Sequence, residues 1–182
     1  QTIRNWSNQN HEETITNEKQ LRQMSFYLKD QGTHIDKAGI GEFLDTLSYP
    51  IYFLDFETVQ PVIPEYIGTS PYAQIPFQYS LHYLEKEGGE LKHKEFLAES
   101  GTDPRRALAE RLCEDIPMNV CVTAYNKAFE YNRIKELAEA FPDLADHLLN
   151  IESNIKDLLV PFQKGYYYNK DMGGSFSIKS VL

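Results

Sequence analysis

The stretch Pro50-Ile51-Tyr52-Phe53-Leu54-Asp55-Phe56-Glu57 decides the fold class. Apart from its two acids it is apolar at odd and even positions alike, the pattern of a central strand covered on both faces. Residues i and i+2 of a strand point to the same side, so Asp55 and Glu57 share one face. Taking a charge out of water costs on the order of several kcal/mol unless it is paired or coordinates a metal. Two carboxylates on an otherwise apolar strand therefore suggest oxygen ligands for a divalent ion such as Mg²⁺ or Mn²⁺. The plainer alternative is a strand end where both acids are solvated or pair with Lys or Arg.

Working outward, residues 59–76 form a loop punctuated by Pro61, Pro64, Pro71 and Pro76. Residues 77–85 and 91–97 are β-type runs on either side of a Gly88-Gly89 turn, which predicts a hairpin. Asp103 and Pro104 then open a helix with Leu108, Leu112 and Ile116 on one face. Residues 120–125 predict a strand, 127–141 a helix, 144–149 a short helix and 155–162 a short strand or helix start. Residues 165–175 read as a Tyr- and Gly-rich loop, and 177–182 as the start of a further element. This order predicts an α/β fold whose first strands are antiparallel and whose later ones are parallel, joined by crossover helices. Upstream, residues 1–48 are a polar lead-in. Residues 12–28 are helix-permissive, 32–41 break the pattern and 42–47 allow a turn or two of helix; the segment reads as a linker from an upstream domain.

The chain has 182 residues, enough for one domain with a modest extension. Eighteen Lys and Arg against 27 Asp and Glu leave a net charge of −9, which disfavours holding nucleic acid by bulk phosphate attraction but not a site built from carboxylates. Hydrophobic residues at 41% and aromatic ones at 13% argue against disorder. No apolar stretch approaches the roughly 18 residues of a membrane helix, and no secretory signal is visible. Cys113 and Cys121 have no zinc-like spacing, so small core residues in a reducing cytoplasm are expected. A chain that opens on Gln1 and stops at Leu182 inside a pattern reads as a piece of a longer protein.

Glu130 extends the argument from the acids. Positions 130, 134, 137/138 and 141 are Glu, Ile, Leu/Ala and Phe, the inward stripe of an amphipathic helix with a carboxylate in its first turn. Asn126, four residues earlier, is placed to cap that helix or to orient Glu130. An acid also suits a helix N-terminus for electrostatic reasons alone. Three acids on elements expected to adjoin nevertheless point to a metal site.

Asp55-Phe56-Glu57-Thr58 on the first strand, followed by a hairpin and by Asn126-x-x-Phe129-Glu130 opening a helix, resembles the DEDD exonuclease superfamily, which has a ribonuclease H-like fold. The stretch from Tyr49 to Leu182 is similar to a bacterial family of the DUF2779 type, in the phrases YPIYFLDFET, IPFQYSLH and GSFSIKSVL. The resemblance implies a ribonuclease H-like domain over residues 49–182, cut short at its C-terminus, within a larger nuclease that has an upstream nuclease region. It implies Mg²⁺- or Mn²⁺-dependent 3′–5′ hydrolysis of DNA or RNA by two metal ions. Asp55, Glu57 and Glu130 would be the catalytic ligands, with Asp157, Asn126 and Thr58 in support. Glu130 stands where the superfamily has Asp, which moves the carboxylate by about 1.5 Å. The third motif, His-x4-Asp or Tyr-x3-Asp on a following helix, is matched only by Tyr167 to Asp171 in a glycine-rich loop, so it is expected beyond Leu182 or lost.

Around these acids, Gln78 is expected to line the cleft, Tyr167 to stack on a base and Lys179 to meet phosphate. His82 and His93 read as ordinary strand residues. The alternative functions are a catalytically degenerate ribonuclease H-like module that binds nucleic acid or a protein partner, or a purely structural domain.

Overall fold

The computed structural model describes residues 18–29 and 32–182. In chain order its elements are α1 (Glu18–Leu28), β1 (Thr33–Ile35), α2 (Lys37–Leu44), β2 (Ile51–Val59), β3 (Ile75–Leu84), β4 (Lys92–Leu97), α3 (Pro104–Asp115) and β5 (Cys121–Ala124). There follow α4 (Ala128–Ala140), α5 (Ala145–Ser153), β6 (Ile155–Asp157), α6 (Val160–Gln163), β7 (Tyr167–Asn169), a 3-10 turn (Lys170–Met172) and α7 (Ile178–Val181). The described residues divide into two compact units, Asp45–Leu158 and a second one built from those up to Leu44 together with Leu159–Leu182.

The unit Asp45–Leu158 is an α/β sheet of five strands in the order β4-β3-β2-β5-β6. Strands β2, β3 and β4 pair antiparallel, whereas β5 and β6 run parallel to β2. This mixed sheet, with helices after β4 and on either side of β6, is consistent with a ribonuclease H-like arrangement. Alternate residues Tyr52, Leu54 and Phe56 of β2 enter the core with Tyr79 and Leu81 of β3, Val122 of β5 and Ile155 of β6. Leu108 and Leu112 of α3, Ile134 and Leu137 of α4, and Leu148 and Ile151 of α5 close over them. A leucine buried this completely is worth about 1.5–3 kcal/mol relative to an exposed one. The three helices also touch one another, as expected of elements that share one face of the sheet.

Local chemistry accounts for the boundaries. Asp103 caps α3 by accepting the Arg105 N–H at 3.1 Å, and Pro104 takes the first helical position, where its missing N–H costs nothing. At the far end of the same helix, Asp115 is buried, yet it is satisfied from three sides. The Tyr79 hydroxyl donates to it at 2.6 Å, and Lys94 and Arg111 pair with it at 3.1 Å each. Burial pushes the Asp115 carboxyl up, but these three donors outweigh that and hold it below its ordinary value.

The second unit is held across a long stretch of sequence. Strands β1 and β7 pair antiparallel, with Thr33 opposite Asn169, His34 opposite Tyr168 and Ile35 opposite Tyr167. The Asp36 N–H donates to the Tyr166 carbonyl at 2.7 Å, and its carboxylate accepts the Gly39 N–H at 3.0 Å. Gly39 lies so close to the Tyr166 ring that a Cβ would meet it at 2.6 Å, which only glycine avoids. Residues 32–41, expected to break the helical pattern, thus hold a strand and the start of α2. Residues 165–175, expected to be a loop, hold β7 and a 3-10 turn. The expected helix over 12–28 is present from Glu18, and its earlier residues lie outside the described ones.

Candidate active site

Four carboxylates lie towards the carboxyl ends of the parallel strands, where open α/β sheets place their ligands. Asp55 and Glu57 sit in the second half of β2, Glu130 in the first turn of the helix that follows β5, and Asp157 at the last position of β6. The β6 register sets Asp157 beside Ala124, one residue beyond the Phe53–Thr123 pairing of β2 with β5. Asp55 and Glu57 share the face opposite the helical core, as the i, i+2 spacing requires. They are exposed, however: along that face of β2 Ile51 is buried, Phe53 is half-buried, and Asp55 and Glu57 are open. The expectation that this strand is covered on both faces does not hold along its second half. Accordingly, no desolvation cost attaches to Asp55 or Glu57.

That cost falls on Glu130 instead. It is 3% exposed on the inward stripe of α4, with Ile134, Leu137 and Ala138. Burial pushes its carboxyl up to about 7; the charges of Asp55 and Asp157 act the same way, against the backbone N–H groups of Glu130 itself and of Phe56. Its Oε2 is buried and has no hydrogen-bond partner among the described residues. A buried carboxylate oxygen without a donor, facing two further negative charges, is an arrangement that a cation would relieve.

Asn126 does not cap α4 through its side chain; the helix begins without a side-chain cap. Asn126 is exposed in the left-handed region at φ 64°, its carbonyl accepts the Phe129 N–H at 3.2 Å, and its own N–H donates to Asp157 Oδ1 at 2.9 Å. Asp157 therefore fixes the turn that aims α4, and with it Glu130. Beside Glu57 the ladder slips. Gln78 pairs with Glu57, whereas the next residue, Thr58, pairs with Pro76, leaving Phe77 as a bulge at a proline that has no N–H to give. Gln78 thus stands directly across from Glu57. Tyr167, in β7, and Lys179, exposed in α7, belong to the other unit.

The donor set is oxygen only, as a hard divalent cation prefers. Among the described residues, however, no three His, Cys, Asp or Glu side chains are grouped closely enough to hold a metal ion. The acids sense one another's charge without converging on one point. No helix among the described residues is long and apolar enough to cross a membrane.

Sequence reasoning missed Arg133, buried on the same helix one turn past Glu130, because a charged residue beside an apolar stripe ordinarily belongs to its solvated edge. No curated protein and no solved structure matches the chain. Residues 52–177 match the model of a family described as a domain of unknown function (DUF2779), and the chain belongs to that family.

Proposed function

We propose that this chain is the exonuclease-type module of a larger, cytoplasmic, metal-dependent nuclease, hydrolysing phosphodiester bonds at the 3′ end of DNA or RNA. The observation that carries the reading is Glu130: a buried carboxylate with an unpartnered oxygen, facing Asp55 of β2 and Asp157 of β6, the two strands that flank β5. Asp55, Glu57 and Glu130 would hold Mg²⁺ or Mn²⁺. A divalent cation there supplies stabilisation of the charge that develops at phosphorus. Asp55 and Glu57, exposed on an open face, are reachable by a strand end. Gln78, across from Glu57, offers an amide to orient it, and Asp157 keeps α4 in place through the Asn126 N–H. Free Cys113 and Cys121 accord with a reducing compartment.

A second reading, a module that binds nucleic acid or a partner without cutting, is favoured by the acids' failure to group as a coordination shell. Nucleotide release from 3′-labelled single-stranded DNA and RNA with Mn²⁺ separates the two. Release by the wild-type chain that Asp55→Asn abolishes supports the nuclease. Folded protein that releases nothing but retains single-strand binding in the presence of a chelator supports the second reading.

A further inference from the structure

A cavity of about 460 Å³ lies outside the carboxylate cluster, between residues 68–76, the start of α3 and the second half of α4. It opens beside the end of the acid-bearing strand, since its wall residues Ile75 and Pro76 pair with Val59 and Thr58, just past Glu57. The volume lies within the range of small-ligand sites, as does the mixture of apolar surface with a few polar groups.

Two arginines face this cavity, and both are already neutralised. Arg133, 7% exposed, pairs with Glu136, its Nε donating at 2.9 Å, and lies over the Phe129 ring at 5.6 Å. Arg105 pairs with Asp103 and donates from Nη2 to the Ile67 carbonyl at 2.8 Å, which ties the loop to α3. The loop is further pinned where the Thr69 hydroxyl donates to the Tyr66 carbonyl at 2.7 Å, so the wall is formed in advance. Among the described residues, Nη1 of neither guanidinium has a partner. What the cavity presents is therefore hydrogen-bond donors without net positive charge, together with the Glu139 carboxylate and the Gln74 amide. Ile75, Pro76 and Leu137 supply an apolar floor.

A bare phosphate gains little here, because each guanidinium has its own carboxylate and Glu136 and Glu139 repel an anion. A nucleobase suits the lining better. It is flat and apolar on its faces, and its edge carries carbonyl and ring-nitrogen acceptors that Arg matches, besides amino donors that Glu accepts. We infer that this cavity seats one nucleoside of the substrate strand, base inward. The choice of a nucleoside as ligand rests on the nuclease reading above; the cavity and its charge balance do not.

The test is calorimetric titration of the whole chain, in the presence of a chelator, with guanosine, cytidine, ribose and inorganic phosphate. Saturable binding of a nucleoside, and none of ribose or phosphate, is expected. Ala140→Trp fills the cavity from an exposed helix position and removes no buried group, and it should weaken nucleoside binding by about tenfold or more. Arg133→Gln should weaken it comparably, the loss expected for one charge-assisted hydrogen bond. Absence of nucleoside binding by folded wild-type protein, binding unaltered by Ala140→Trp, or phosphate binding as well as nucleoside would overturn the inference. Nucleoside binding without any strand hydrolysis would overturn the nuclease reading and leave the cavity assigned. Hydrolysis without nucleoside binding would do the reverse.

Discussion

Glu130 resists ionisation because it is buried, and the charges of Asp55 and Asp157 add to that; its carboxyl reaches about 7 from an ordinary 4.5. Between those values the unfolded chain has released a proton that the folded chain still holds, so rising pH costs stability across this window and then levels off. The contribution is on the order of 3 kcal/mol. Urea melts of the metal-free protein should show this loss in the wild type and not in Glu130→Gln, which should be the more stable of the two at pH 8. Equal slopes for both proteins would contradict the argument. A cation bound among these acids relieves the same strain, so Mn²⁺ at pH 7.5 should raise the melting temperature of the wild type and leave that of Asp55→Asn unmoved. At this scale the sequence makes some features plain and hides others. That Asp55 and Glu57 share a face follows from strand geometry, whereas their exposure does not, because alternation cannot tell whether another element covers that face. The turn at Asn126 was unreadable for a different reason. Its partner, Asp157, lies 31 residues away and takes a backbone N–H, so the Asn side chain, which local reasoning credits with the capping, is not what holds the turn.

Helix α3 is tied at both ends, and the two ties differ in kind. At its start the Asp103 cap is local and exposed, and Asp103→Ala should cost about 1 kcal/mol. At its end Asp115 joins the helix to β3 and β4 through Tyr79 and Lys94, with Arg111 closing the set from the helix itself. Removing the Tyr79 hydroxyl with Tyr79→Phe takes one donor from a buried carboxylate and should cost about 1.5–3 kcal/mol in denaturant melts at pH 7. Because the folded protein holds the Asp115 carboxyl below its ordinary value of 3.8, its support is complete above that pH and fades as pH falls through the lower folded value. The deficit of Asp115→Asn relative to wild type should therefore shrink below pH 4; a deficit constant with pH would show that the tie is not ionic. Most elements of this unit are legible in sequence for the reason that makes α3 legible: a cap, a proline or a Gly-Gly turn stands at the boundary and the apolar period fills the interior. Asp115 itself is not. In sequence it is one more acid at a helix end where the dipole disfavours it, and the sheet packing supplies two of the three donors that reverse that, Tyr79 and Lys94.

Across the whole chain, the two units differ in how their contacts are distributed along the sequence. Every residue of the main hydrophobic core falls between Tyr52 and Ile155, inside the unit Asp45–Leu158. The smaller unit depends instead on strands of three residues whose partners lie at opposite ends of the chain, as in the pairing of Thr33 with Asn169. Such short strands carry almost no periodic signal, and a pairing that closes so long a loop leaves no local trace, so the pairing of β1 with β7 is invisible in the sequence although the helix from Glu18 is not. The family match makes the consequence testable, because residues 52–177 include β7 and omit β1. A chain beginning at residue 45 should keep its main core while β7 loses its only strand partner in that two-stranded sheet. Hydrogen exchange followed by mass spectrometry should then show the backbone of residues 167–169 opening to rates near those of an unstructured segment, with residues 79–81 and 121–124 protected as in the full chain. Continued protection at 167–169 would mean that β7 is held by something other than β1, and the division of the chain into these two units would need redrawing. Loss of protection at 121–124 as well would mean that the first 44 residues support the core itself, against the placement of all its apolar residues within Asp45–Leu158.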